Sequence, residues 1–362
     1  HTLGERDGGM LSAIMLGDRS RLDRERLELY QINGIGHLLA VSGLHLSFIG
    51  IGIYQILRRL TGSYTIGGAC GILFLVLYIL MIGLTVSAVR ALIMFLFRVG
   101  AEMTGRRYDA PTVLSSAAVI VLLWRPLSPY DGGFWLSFGA VFAILTVVPA
   151  LQEGIFVPAA CNGNLSVYLI GAWEHVWKVI SQGLVASMGI NLVILPILLY
   201  YFFEFPLYSI LLNLFVIPLM SALLFFGMAG SLFAPWVVPL SVLLFRICSK
   251  ILWIYKMSCE IMLRLPGARL VIGRPAMWQM GVYYGILFLG LFIWRYILLK
   301  KKCEEQRNQS LLVTKCGKKR GHRKQKAGWA VILLWAVGIM ILTVRFGEAG
   351  KLSVVVLDVG QG

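Results

Sequence analysis

Charge is what this chain has least of: Asp, Glu, Lys and Arg make up 14% of its 362 residues, against 58% hydrophobic. Soluble domains carry about 25% charged residues, so an ordinary soluble globule is excluded and an all-α polytopic membrane protein is expected. Paired cysteines are also lacking. Cys70, Cys161, Cys248, Cys259, Cys303 and Cys316 are scattered without a Cys-x-x-Cys pair or a histidine at ligand spacing, so neither a zinc site nor a disulfide framework is signalled, and no cofactor is expected in this chain. The sequence has no HExxH and no paired intramembrane aspartates, which disfavours an intramembrane protease. It has no Gly-x-x-x-x-Gly-Lys-Ser/Thr loop either, so any ATP hydrolysis belongs to another chain. A cleavable signal peptide is not read, because the charged opening 4–28 is not followed by a short apolar core and a small-residue cleavage site. The chain opens at His1 without a methionine and reads as a fragment.

What is present is a series of apolar runs. A crossing takes about 20 apolar residues, and ten spans are expected: 35–57, 64–84, 86–103, 111–124, 133–151, 179–202, 207–232, 236–256, 279–299 and 328–344. The formal charge of +16 fits an anionic partner, but on a membrane protein positive loops chiefly report orientation. The loop 300–326, KKKCEEQRNQSLLVTKCGKKRGHRKQK, is the strongest such signal and is expected to be cytoplasmic. With ten spans that puts both chain ends outside and Arg58, Arg59, Arg106 and Arg107 inside. The stretch from Arg246 to Arg274 is discordant: its cations fall at the outer face, so either the eighth span is misplaced or an interfacial helix lies there. Residues 18–30 read as a charged surface helix. The tail 352–358, LSVVVLD, reads as a buried strand followed by a turn at Gly360-Gln361-Gly362.

Four constellations carry polar groups that insertion does not need. The first is His37, Ser42, Gly43 and His45 on the opening span. The histidines, eight residues apart, sit about 12 Å apart along a helix and about 80° round it, so they cannot chelate one metal. Ser42 and His45 can touch, but no orienting acid or oxyanion hole stands nearby for a nucleophilic dyad. A helix break at Ser42-Gly43 with polar groups lining a passage, or a packing notch with hydrogen-bonded histidines, is the remaining choice. The second is Arg90, one turn into a span among Ser87, Ala88 and Ala91. A guanidinium there suits a polyanion in transit, whereas Arg98 snorkels to the interface.

The third is the turn 125–138, where Asp131 reads as a helix cap ahead of Gly133, Phe134, Trp135 and Phe138. These aromatics serve an interface belt or a platform for unstacked bases. The fourth is 191–218, where Pro196, Pro206 and Pro218 break a hydrophobic hairpin around Glu204, and Asn213 either bonds a neighbouring helix or lines a pore.

In order and spacing, LGDRSRL near Leu16, GHLLAVSGLH from Gly36, VRA around Arg90, DGGFWLSFGAV from Asp131 and the LP…YYF…FP…LLNLFVIP stretch resemble the ComEC-type competence proteins. The closing VVLDVGQG is similar to the opening of the metallo-β-lactamase-like α/β domain of that family. The resemblance implies an inner-membrane channel passing single-stranded DNA into the cytoplasm, not itself an enzyme, with a cytosolic DNA-translocating ATPase and a membrane DNA receptor as partners and self-association left open. Its implied organisation is a charged helix over 1–33, the channel domain over 34–345 with the basic loop 300–327 inside it, and a truncated domain over 346–362. His37, Ser42, Gly43, His45, Arg90 and Asn213 would line the DNA path, while Asp131, Gly133 and Phe134 hold structural motif positions. A polytopic small-molecule or lipid transporter is the competing class, and it has no use for an outer nuclease domain.

Overall fold

A computed structural model describes residues 4–39, 41–155, 167–311 and 335–344. These fall in two units, 1–274 and 275–362. The first opens with α1 (Glu5–Leu16), α2 (Arg24–Ile32) and a 3-10 turn (Gly36–Leu39), then runs through α3 (Gly43–Thr61), α4 (Tyr64–Ile82), α5 (Val86–Thr104) and α6 (Ala110–Trp124). α7 (Gly132–Phe142) continues through a π turn (Ala143–Val147) into α8 (Val148–Ile155). α9 (Val167–Phe202), β1 (Glu204–Pro206), α10 (Ser209–Phe233), α11 (Val238–Leu263) and β2 (Arg269–Val271) complete the unit.

The helix ends follow local chemistry. Asp23, Ser63, Thr85, Asp109 and Asp131 each turn a side-chain oxygen onto a free backbone N–H of the first turn, the usual N-cap arrangement. Gly17, Gly62 and Gly105 end α1, α3 and α5 in the left-handed conformation, where a side chain would be strained.

Among the described residues, six helices are long and apolar enough to cross a membrane: Tyr64–Ile82, Gly132–Glu153, Trp177–Phe202, Ser209–Phe233, Val238–Leu263 and Met277–Lys300. The chain is a multi-pass membrane protein. The count differs from the expected ten for identifiable reasons. The opening span is not one helix: Gly34 takes φ 75°, a 3-10 turn follows, and α3 starts only at Gly43, which removes eight residues from its apolar run. α5 carries Arg90, Arg98 and Glu102, and α6 has only 15 residues. Residues 328–334 and all of 346–362 lie outside the described residues, so the expected strand does too. Of the discordant stretch 246–274, the part up to Leu263 lies within a single 26-residue helix, α11, and Arg269–Val271 form β2.

Three apolar cores hold the first unit. Met10, Ile14, Tyr30, Leu39, Met220 and Tyr255 join α1, α2, the 3-10 turn, α10 and α11. Among the described residues, 4–33 therefore hold two helices, and α1 is no surface element: Met10 and Ile14 are fully buried. Leu46, Leu75, Ile79 and Phe95 join α3, α4 and α5, and here Gly50 lies so close to Leu75 that a Cβ would overlap it. Such close small-residue contacts substitute for the hydrophobic drive that lipid does not supply. Leu114, Val121, Phe134 and Phe138 join α5, α6 and α7.

The connections gather at two ends. At one, the Tyr201 hydroxyl donates to the Tyr130 carbonyl (3.3 Å) and the Tyr208 hydroxyl to the Pro266 carbonyl (2.8 Å). β1 pairs antiparallel with β2, Phe205 opposite Leu270, and Gly34 abuts Pro206 and Ser209. At the other, Glu102 accepts from Tyr54 (2.5 Å) and pairs with Arg58 (3.3 Å) and Arg98 (3.5 Å).

The second unit contains α12 (Met277–Leu311) and helical residues 335–343, so α12 runs into the first part of the expected basic loop. Gln279 joins the two: its carbonyl oxygen accepts from the Ala276 N–H (2.7 Å) while its amide donates to the Ile341 and Val344 carbonyls (2.8 and 2.7 Å). It thus satisfies orphan groups at the ends of both helices.

Candidate functional site

Thr85 caps α5 by accepting from the Ala88 N–H (3.2 Å), which sets the register of that helix and turns Arg90 toward α3 and α7. The Arg90 side chain is enclosed, with the residue 6% exposed. One guanidinium nitrogen, Nη1, donates to the Ser137 carbonyl on α7; Nη2 lies against Gly43 at the first turn of α3; and the Phe138 ring lies 5.7 Å from the guanidinium carbon. The Ser87 and Ser137 hydroxyls meet beside it at 2.8 Å. Gly43 is required by this contact, since a Cβ there would overlap Nη2.

The electrostatics of the seam are one-sided. A guanidinium stays charged at any relevant pH, yet among the described residues no carboxylate pairs with Arg90, and its Nε is buried without a partner. The N-terminal end of α3 adds partial positive charge rather than removing it. A buried charge without a counter-ion costs several kcal/mol. Donors exceed acceptors here, and the arrangement has the chemistry of an anion site held closed by one backbone carbonyl.

Ser42 and His45 do meet. His45 Nδ1 lies 2.9 Å from the Ser42 backbone N–H and 2.8 Å from its hydroxyl. The N–H can only donate, so Nδ1 accepts and the neutral ring carries its proton on Nε2, which is buried with no partner. Nδ1 is thus occupied in fixing the start of α3 as the reciprocal half of a capping box, and no acid orients the ring. Ser42→Ala is expected to lower the thermal stability of the protein by about 1 kcal/mol, the usual worth of a cap, read as an earlier thermal melt; an unchanged melt would mean that Ser42 and His45 do not cap α3.

The other expected residues fall elsewhere. His37 is exposed on the 3-10 turn, its Nδ1 donating to the Gly34 carbonyl (3.1 Å). Asn213 is half-buried on α10, its Oδ1 enclosed without a partner. The 3-10 turn and α10 share one apolar core, in which Leu38 and Leu39 join Leu212 and Val216. Asp131 caps α7 by accepting from the Gly133 N–H (2.9 Å). Phe134 is buried against Phe138, and Trp135 is partly exposed with its Nε1 bonded to the Pro129 carbonyl (2.7 Å). Phe138 is therefore a wall of the Arg90 seam and no belt residue.

Sequence reasoning missed the Ser137 carbonyl, which any residue type would supply. It also missed Asp7, whose carboxylate accepts from Ser249 on α11 (2.5 Å) and pairs with Arg26 on α2 (2.8 Å), tying α1 into the bundle.

A family model described as "Competence protein" matches residues 14–296. The chain is 29% identical over 210 residues to "ComE operon protein 3" of Bacillus subtilis, covering 58% of this chain and 24% of that protein. It is 28% identical over 230 residues to "Competence protein ComA" of Neisseria gonorrhoeae, covering 60% and 29%, and 27% identical over 224 residues to "Recombination protein 2" of Haemophilus influenzae, covering 60% and 27%. The matched region thus spans between 24% and 29% of the length of these relatives. No solved structure matches. With the family model covering well over half of its residues, the chain belongs to the competence protein family.

Proposed function

We propose that this chain is the membrane channel of a DNA-uptake protein, passing one DNA strand across the bacterial inner membrane into the cytoplasm. The observation that carries it is Arg90: a buried cation at a three-helix seam, held by a carbonyl instead of an acid. Phosphates cannot enter hydrocarbon cheaply, so a strand needs wet, cationic stations, and each must release what it binds. A carbonyl partner fits that need, because a phosphate displaces it with a gain in charge pairing while the seam closes again behind the strand.

In this reading α3, α5, α6 and the segment 328–344 complete ten crossings. The end carrying Tyr130, Tyr201 and the β1–β2 ribbon faces outward, and the end carrying Arg58, Arg59, Arg106 and Arg107 faces the cytoplasm. The segment 346–362 starts the metallo-β-lactamase-like domain, and the loop 300–327 offers cationic surface to a DNA-translocating ATPase. The membrane DNA receptor delivers the strand from outside.

The test is uptake of labelled DNA by cells with and without the full-length protein, scoring internalised single strands. Loss on deletion, restored by the cloned copy, is expected. Normal uptake in the deletion strain, with no second copy present, would favour the small-molecule or lipid transporter instead.

A further inference from the structure

A second cationic feature lies outside the Arg90 seam. Where α6 ends and α7 begins, the chain bends through Arg125-Pro126-Leu127 and a 3-10 turn (Ser128–Tyr130), leaving an open pit of about 450 Å³ bordered by Val86, Trp124, Arg125, Ser128 and Asp131. The Arg125 guanidinium stacks over the Trp124 ring at 4.3 Å and is in no ion pair among the described residues. Trp124 itself is 42% exposed. The Ser128 hydroxyl is the unusual part: the residue is 6% exposed, it borders the pit, and its oxygen has no hydrogen-bond partner. A buried hydroxyl costs free energy when unpaired, and a polar ligand in the pit supplies its partner.

We infer that this pit binds one unstacked nucleotide of the incoming strand, making it the outer station of the path. This rests on the channel reading above. Its volume lies at the lower end of the range for small-molecule pockets, enough for a single nucleotide and far too little for a duplex. Its groups match that ligand in kind. Arg125 pairs with the phosphate, an aromatic or guanidinium plane receives the base by stacking, and the Ser128 hydroxyl donates or accepts at a base edge or phosphate oxygen. Asp131 spends one oxygen on its cap, and the carboxylate accepts from an exocyclic amino group such as that of cytosine.

An acid beside the cation makes the pit a poor trap for bare phosphate and a better one for a nucleotide. The location adds a direction. Val86 and Arg90 are four residues apart on α5, one turn on the same face and about 6 Å of rise, so the next cation inward from the pit is the buried Arg90.

The test uses the full chain in phosphatidylcholine nanodiscs and a dye-labelled short oligodeoxycytidylate read by fluorescence anisotropy. Arg125→Ala is expected to weaken binding about tenfold, the loss of one charge-assisted contact, and Ser128→Ala about threefold. Arg125→Lys should restore only part, since an ammonium neither forks nor stacks as a guanidinium does. Ser128→Ala removes a buried unsatisfied group, so it also keeps the fold intact and guards against a trivial loss.

Unchanged binding in both alanine variants overturns the pit. If DNA uptake still depends on the protein in that case, the channel reading stands without it; if uptake survives deletion of the protein, the channel reading falls on its own evidence. Loss of oligonucleotide binding on changing the nanodiscs to phosphatidylethanolamine, whose headgroup also pairs a phosphate with an amine, makes the pit a lipid headgroup site and overturns the proposal.

Discussion

Arg90→Met is expected to abolish uptake of labelled DNA, by at least about a hundredfold, while the protein remains in the membrane near its normal thermal stability. Loss of uptake without loss of stability separates function from structure. Methionine is unbranched, flexible and uncharged, so it fills the part of the seam along the arginine stem, short of Gly43 and Ser137, and removes a buried cation that no acid compensates. Replacing buried charges by well-packed apolar groups is neutral or stabilising by about 1–4 kcal/mol. Against that stands the Ser137 carbonyl, left without its donor at a cost of about 1–3 kcal/mol. The two roughly offset.

A guanidinium with a purely structural role would behave differently: the variant would melt earlier and disappear from the membrane, and its uptake defect would track its abundance. Uptake per molecule, from internalised single strands divided by membrane level, decides between them. An Arg90→Met protein with normal uptake per molecule would remove Arg90 from the path. Arg90→Lys should recover part of the activity, because it restores the charge without the fork that holds a phosphate at two oxygens.

Much of this architecture was legible from the residues, and where legibility stopped there is a physical reason. Capping is local chemistry, so Asp131 could be read as a cap from its neighbours alone, and the start of a helix at Ser42-Gly43 likewise follows from a small polar residue before a glycine. The first expected span begins late because hydropathy is blind to backbone conformation: residues 35–42 continue the apolar run, but Gly34 at φ 75° and the 3-10 turn redirect the chain, and the helix starts at Gly43. α1 was missed as a core element because its opening is charged, while Met10 and Ile14 lie on one side of a helix too short to signal burial.

Arg90 could be singled out as an intramembrane cation, yet its partner could not, since a carbonyl belongs to every residue. Nor does a sequence state the lateral order of helices. His37 and Asn213 were singled out on polarity alone, with no neighbour that the sequence could name.

Gly43→Ala supplies the complementary test, because it adds a single methyl where the Arg90 guanidinium now lies. The Cβ would overlap Nη2, and the guanidinium has little freedom to retreat: Ser137 holds Nη1 and Phe138 stands beside it. Overpacking of this kind typically costs about 1–3 kcal/mol, and uptake is expected to fall at least about tenfold as Arg90 is pushed out of register. The substitution is otherwise benign. Alanine is the better helix former by up to about 1 kcal/mol, and the nearest other neighbour, the Ala91 methyl, would sit at an ordinary 3.7 Å.

The sign of its effect should therefore reverse in an Arg90→Ala background, where only the propensity remains. Thermal melts of the two single variants and the double variant give a coupling energy, expected at about 1–3 kcal/mol for residues in direct contact. Additive costs would mean that Gly43 and Arg90 do not touch, and the closed anion site built on that contact would have to be given up even if each variant alone impaired uptake.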